Sequence, residues 1–210
     1  MDIVNPEIET YMAGLQARHD EPVLLEMETE GRERGFPIVG RNVGVTLEVL
    51  ARSIGARRVM ELGSGFGYSA YWFARAVGGN GEVHCTDGDP DNATKAESYL
   101  TRAGLWDRVT YYVGDAVEQM AGVDGTFDIV YDDIDKQGYP DAWRAARDRI
   151  RVGGLYICDN VLWSGRILEP DPDRNTSAIL EHNQLIADDE RFVSTIVPTR
   201  DGVIVAVRIG

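Results

Sequence analysis

The sequence is poor in the residues that build disulfide frameworks and soft-metal sites. Its 210 residues include two cysteines, Cys85 and Cys158, and three histidines, His19, His84 and His182. Each cysteine lies inside an apolar run and reads as a buried thiol, which excludes a disulfide scaffold and a zinc site and fits a reducing, cytoplasmic setting. Long hydrophobic stretches are also missing. Runs such as Val203 to Val207 are strand-sized, well short of the about 18 apolar residues that a membrane helix needs. Residues 1–7 have no basic region leading into an apolar segment, so no signal peptide is expected. Positive charge is scarce too: 21 Lys and Arg face 35 Asp and Glu, for a net charge of −14. That balance argues against a nucleic-acid partner and suits a protein acting on a small molecule.

The remaining composition is that of an ordinary globular chain, 43% hydrophobic and 27% charged, with enough apolar material for a sizeable core. The length predicts a single domain over 1–210. Within it, residues 1–55 read as a helical N-terminal cap and 56–210 as the core. The pattern predicts a helix over 43–54 that packs over the ligand edge of a sheet.

From residue 57 onward, strand-like and helix-like segments alternate. Residues 58–62, 82–86, 109–113, 127–131 and 154–158 read as strands, the last following a Gly153-Gly154 turn. Residues 68–76, 90–103 and 139–150 read as helices, with Pro90 favourable in a first turn and Trp143, Ala146 and Ile150 spaced as a buried stripe. This alternation predicts an α/β fold with a parallel sheet and right-handed crossovers. The end of the chain differs. Residues 192–198 and 203–209 are strand runs separated by a segment containing Asp201-Gly202, a hairpin signal, so the last pair is expected to be antiparallel. Residues 168–175, with Pro170 and Pro172, read as an exposed loop.

Two sets of residues carry chemistry. Glu61-Leu62-Gly63-Ser64-Gly65-Phe66-Gly67 follows a strand and precedes a helix, where glycines let backbone approach a ligand at the carboxyl edge of a sheet. Tyr68 occupies the position where the dinucleotide fingerprint requires glycine, which weakens a nicotinamide reading. Asp87 follows by about 20 residues, placed to accept hydrogen bonds from a ribose. The other set lies at two later strand ends, Asp132-Asp133-Ile134-Asp135-Lys136 and Asp159-Asn160. Carboxylate and amide oxygens without His or Cys favour Mg²⁺, Mn²⁺ or Ca²⁺ over zinc. His84, inside a strand, reads as a core or edge residue rather than a ligand.

The glycine turn with its following acid resembles the class I methyltransferases, whose sheet is Rossmann-like, mostly parallel and seven-stranded, with a C-terminal antiparallel hairpin and helices on both faces. The segments Phe127-Asp128-Ile129-Val130-Tyr131-Asp132-Asp133-Ile134-Asp135-Lys136-Gln137-Gly138-Tyr139 and Val152-Gly153-Gly154-Leu155-Tyr156-Ile157-Cys158-Asp159-Asn160-Val161-Leu162-Trp163-Ser164-Gly165 resemble a narrower branch. That branch is the metal-dependent catechol and caffeoyl-coenzyme A O-methyltransferase family, and the likeness runs over 36–209. It implies S-adenosylmethionine as cofactor, with contacts from Glu61, Gly63, Gly67, Ser69, Asp87, Asp115, Ala116 and Asp133. Gly114-Asp115-Ala116 matches the segment beside the adenine, and Ser69 would reach the cofactor carboxylate. It also implies a divalent cation, Mg²⁺ first, on Asp133, Asp159 and Asn160. Lys136 would be the base at the acceptor hydroxyl, with Asp135 as a further contact. A small phenolic acceptor and a homodimer are expected, and Trp163 reads equally as acceptor wall or core. Ser64-Gly65-Phe66 and the segment 38–44 depart from the family pattern. A tRNA nucleoside O-methyltransferase of the same fold and a non-catalytic S-adenosylmethionine-binding module are the alternatives.

Overall fold

A computed structural model describes residues 3–210; the first two residues of the N-terminal stretch and the side chain of His19 lie outside the described part. The elements in chain order are α1 (Pro6–Leu15), α2 (Pro22–Arg34), α3 (Gly40–Ser53), β1 (Arg58–Leu62), α4 (Tyr68–Val77), β2 (Glu82–Asp87), α5 (Pro90–Arg102), β3 (Val109–Val113), α6 (Ala116–Ala121), β4 (Phe127–Asp132), α7 (Tyr139–Ala146), β5 (Ile150–Cys158), α8 (Arg174–Ala187), β6 (Phe192–Val197) and β7 (Val203–Arg208). Short 3₁₀ turns join several of them. Proline at the first turn starts α1, α2 and α5, and Asn5, Asp89, Asp115 and Asp173 each cap a helix by accepting a backbone N–H.

The strands form one seven-stranded sheet in the order β3-β2-β1-β4-β5-β7-β6. β1 to β5 pair in parallel, and β7 runs antiparallel between β5 and β6. This is a Rossmann-like arrangement whose order reverses between β1 and β4, the place where such sheets open a ligand crevice. Alternate residues feed the two faces. Val59, Val83, Ile129, Leu155 and Ile157 join Leu24, Met27, Leu47, Trp72 and Phe73 from α2, α3 and α4. Met60, Leu62, Val130, Tyr156 and Cys158 join Met120, Trp143 and Ile179 from α6, α7 and α8. Both faces are therefore covered, which explains strands that read as continuous apolar runs. Among the described residues no helix is long and apolar enough to cross a membrane.

Three expectations need correction. Ile150 is buried as expected but begins β5, because α7 ends at Ala146 and passes through a 3₁₀ turn. Gly153-Gly154 is a bulge inside β5, not a turn before it: pairing jumps from Phe127 with Ile150 to Ile129 with Leu155. Gly153 has φ +78°, and a Cβ on Gly154 would come within 2.7 Å of the Asp128 carbonyl, so only glycine fits the extra residues here. The third concerns α3, whose first turn reaches the ligand rim while its length packs on α4. That leaves α4 enclosed between α3 and the sheet, so Tyr68 to Ala74 are all buried.

The α3–α4 contact rests on Gly44, where an added Cβ would fall 2.2 Å from Trp72 Nε1. Gly44→Ala is expected to lower stability by about 1–3 kcal/mol through overpacking. Gly14→Ala in α1, which meets nothing within 4 Å, is expected to be neutral or to add about 0.5–1 kcal/mol. Urea denaturation of the two variants checks both signs.

Candidate active site

The candidate residues gather at the carboxyl edge of the parallel strands, around the point where the order reverses. The turn after β1 uses Gly63, Gly65 and Gly67, all with positive φ (84°, 49° and 89°). Gly63 N and Ser64 N donate to Thr86 O at the end of β2. Gly65 N donates to Asp87 Oδ2 at 3.0 Å, and Asp87 Oδ1 accepts from Asp89 N (2.8 Å) and Asn92 Nδ2 (3.1 Å). Asp87 thus shapes the glycine turn, and its Oδ2, with one bond accepted, keeps a lone pair free.

Glu61 is fully buried beneath the turn, and burial pushes its carboxyl up to about 7, moderated by the hydroxyls of Ser69 and Ser64. Its Oε1 has no hydrogen-bond partner. The Ser69 hydroxyl lies against Glu61. Asp115 caps α6 by accepting from Glu118 N at 3.0 Å, with Ala116 the first helical residue, and Gly114 N donates to Asp87 O. The last of these bonds ties the end of β3 to the end of β2.

The second half of the site comes from β4 and β5. Their last paired residues are Asp132 and Cys158, so Asp133 and Asp159 emerge side by side. Asp159 is 1% exposed, and Asp133 is partly buried. Burial raises both carboxyls above the usual carboxylate range, and their mutual repulsion adds to the rise at Asp159. Asp133 Oδ1 accepts from Lys136 Nζ at 3.2 Å, and Asp159 Oδ1 accepts from Asn160 N at 2.8 Å. Lys136 is one of two lysines in the chain. Its Nζ also donates to Tyr139 Oη at 2.5 Å, and Tyr139 in turn donates to Asp159 O at 2.9 Å. Lys136 Nζ lies 5.9 Å from the Trp163 ring centroid. The exposed Asp135 makes no bond to this cluster. Asn160 adopts φ +58°, in the left-handed region, as do Trp163 (47°) and Ser164 (52°) just beyond it.

Sequence reasoning missed four features. Tyr111 Oη on β3 donates to Gly65 O at 2.6 Å, bracing the glycine turn from below. The segment between α2 and α3 lies over that turn: the Phe36 ring would be 2.9 Å from a Cβ on Gly65 and meets Phe66 edge-on at 5.1 Å. Arg200, at the β6–β7 tip, donates to Ile38 O and acts electrostatically on Asp133 and Asp159. The fourth is a buried network below the site, in which Tyr156 Oη donates to Asp132 Oδ2 (2.7 Å) and lies 2.9 Å from His182 Nε2. Asp132, Cys158 and His182 bring their ligand atoms within 4.8 Å of one another. The Tyr156 hydroxyl already bonds two of the three, so these groups form a hydrogen-bonded layer of the core. The only sequence signal for it was an acid at position 132, which adjacency to Asp133 obscured.

Burial sets the pH dependence of the ligand-free fold. Glu61 and Asp132 are pushed up to about 7, and Asp133 and Asp159 are also raised. Between the ordinary carboxylate range, about pH 4, and pH 7, the folded chain holds protons that the unfolded chain has released. Stability therefore falls as pH rises through this window and levels off above it. His182, lowered by burial to about 4, and His84, also lowered, oppose this, but four carboxyls outweigh two imidazoles. Metal-free protein is expected to show a lower urea midpoint at pH 8 than at pH 6. A midpoint that rises over the interval would contradict the assignment of these acids as protonated and buried.

The sequence profile of the O-methyltransferase family matches residues 17–209. A catechol O-methyltransferase of Niastella koreensis is 32% identical over 168 residues, covering 77% of this chain and 76% of that protein. A catechol O-methyltransferase of Mycobacterium tuberculosis is 33% identical over 162 residues, covering 77% and 74%. Among solved structures, the O-methyltransferase TomG of Streptomyces achromogenes, involved in tomaymycin synthesis and in complex with SAM, aligns with a TM-score of 0.89. It is 27% identical and covers 97% of this chain and 96% of TomG. An O-methyltransferase of Bacillus cereus in complex with SAH aligns with a TM-score of 0.83 at 29% identity, covering 90% and 91%. With the glycine turn, the acids at the ends of β4 and β5 and the antiparallel β6–β7 hairpin all in place, the chain belongs to the O-methyltransferase family.

Proposed function

We propose that the protein transfers a methyl group from S-adenosylmethionine to a hydroxyl of a small catechol-like phenol, with a divalent cation held on Asp133, Asp159 and Asn160. The observation that carries this reading is the pair of adjacent carboxylates, Asp133 and Asp159, withdrawn from water at neighbouring strand ends. Each makes a single hydrogen bond among the described residues. Two such acids side by side are costly unless a cation compensates them. Carboxylate and amide oxygens suit a hard ion, Mg²⁺ first and Mn²⁺ or Ca²⁺ next. The left-handed backbone at Asn160 is the kind of local strain that collects at ligand sites.

The cofactor reading rests on the other half of the rim. Gly63, Gly65 and Gly67 expose backbone where a nucleoside cofactor lies in such sheets. Asp87 Oδ2 has a lone pair for a ribose hydroxyl, and the unpartnered Glu61 Oε1 can accept from the cofactor's ammonium group. Gly114, Asp115 and Ala116 would border the adenine.

Methyl transfer from a sulfonium is an in-line displacement, so the acceptor oxygen must be aligned with the methyl carbon and lose its proton. When bound, the cation supplies electrostatic stabilisation of the deprotonated acceptor oxygen. Lys136 moves the proton at Nζ. Tyr139 positions that amine, being tied itself to the backbone carbonyl of Asp159. Trp163 offers an apolar wall to a planar ring. The net charge of −14 argues against an RNA acceptor.

Calorimetric titration with S-adenosylhomocysteine, followed by catechol in Mg²⁺ or in EDTA, tests the scheme. The expected result is cofactor binding in both solutions and catechol binding in Mg²⁺ alone. Catechol binding that ignores EDTA would overturn the metal assignment. Asp159→Ala is expected to abolish the metal-dependent step and lower turnover by about 100-fold or more, with S-adenosylhomocysteine affinity nearly unchanged. Protons compete with the ion for the raised carboxyls, so Mg²⁺ affinity should be weaker at pH 6 than at pH 8.

A further inference from the structure

Arg200 lies where three parts of the chain meet at the mouth of the site. The β6–β7 tip that carries it is bonded to the loop after the candidate metal ligands: Val161 N donates to Gly202 O and Leu162 N to Asp201 O, both at 3.0 Å. Gly202 packs against Leu162 so closely that a Cβ would fall 2.4 Å from Leu162 Cγ. On the other side, Arg200 Nη1 donates to Ile38 O and approaches Gly40 at the start of α3. The tip is thus fixed between the Asp159-Asn160 loop and the segment that lies over Gly65. Arg200 holds φ +49°, a conformation a non-glycine residue seldom adopts.

Arg200 is exposed and, among the described residues, its guanidinium has no carboxylate within ion-pair distance. Arg166, the other arginine near this mouth, lies 5.9 Å from the Trp163 ring but is neutralised by Glu169 and Asp173. In the loaded site Asp133 and Asp159 are matched by a divalent ion. Arg200 then remains at the mouth as an exposed cation without a carboxylate partner among the described residues, the neighbouring Asp201 accepting from Ser164 N. An acceptor with an anionic substituent offers that guanidinium a partner, which a neutral catechol does not.

We propose that Arg200 binds an anionic substituent of the acceptor, a carboxylate on the aromatic ring or its side chain, and selects acidic over neutral catechols. The planar fork of arginine matches a carboxylate in two-point contact. The assignment rests on the catechol reading of the site.

The test compares 3,4-dihydroxybenzoate with its neutral isostere 3,4-dihydroxybenzamide, titrated calorimetrically into the protein saturated with S-adenosylhomocysteine and Mg²⁺. The wild-type protein is expected to bind the acid at least about tenfold more tightly, the scale of one charge-assisted pair. Arg200→Gln should lose that preference while binding the amide and S-adenosylhomocysteine within about threefold of wild type. Arg200→Lys should retain part of the preference. Equal wild-type affinity for acid and amide overturns the proposal, as does a variant that loses both in parallel, the signature of a purely structural tip. If neither compound binds although S-adenosylhomocysteine does, the catechol reading fails and this assignment falls with it.

Discussion

The site depends on one close approach, that of the chain leaving β1 to the chain leaving β4. A Cβ on Gly63 would lie 2.5 Å from the Asp133 carbonyl oxygen, and Asp133 N donates to Leu62 O at 2.9 Å. Any side chain at position 63 would force the strands apart at the point where the sheet order reverses. Because glycine is there, with φ +84°, the glycine turn and the acid rim form one rigid unit. Whatever binds over the turn is thereby placed beside Asp133. Tyr111 and Asp87 then fix Gly65 from the β2–β3 side, so the turn is held on both flanks.

The rest of the rim is assembled at the expense of stability. The four non-glycine residues with positive φ among those described are Asn160, Trp163, Ser164 and Arg200. All four lie in the loop after β5 or in the hairpin tip bonded to that loop. Each such residue costs about 1 kcal/mol or more, and clustering of this kind is expected where geometry serves a ligand. The buried acids add to the cost, since burial, with repulsion from Asp133, lifts Glu61, Asp132 and Asp159 to about 7. Two extensive apolar layers, one on each face of the sheet, offset these terms. An acid that is expensive in the empty protein gains most when a cation or ammonium group meets it, so the strain and the binding energy are linked.

Local pattern made much of this legible in the sequence. The continuous apolar runs of the strands and the proline and aspartate caps follow from nearest-neighbour chemistry, and β1 and β3 have the bounds that pattern predicts. The glycine turn, Asp87, Asp133 and Asp159 were visible because each marks a strand end. What pattern could not supply was long-range pairing. Nothing local shows that Ile150 crosses to Phe127 before a bulge; a helical stripe and a strand start look alike over three residues. Nor could the sequence show that Tyr156 stands between Asp132 and His182, which lie 50 residues apart along the chain.

The cover over the glycine turn shows how differently the parts of the site are held. Its flanking helices are rooted in the core through Leu24 and Met27 of α2 and Val43 and Leu47 of α3, none of them exposed. Glu28 pairs with Arg41 and accepts from Tyr68 Oη, tying both helices to α4. The strap between them has much less. Phe36 and Ile38 are only partly buried, Phe36 meets Phe66 edge-on, and Arg200 reaches Ile38 O. Val39 is buried, Phe36 and Ile38 pack against the same core cluster, and Phe36 N donates to Gly31 O. The strap is therefore held by the apolar layer that roots its helices, through fewer and smaller burials, while Gly63 and Asp133 are fixed by the sheet itself.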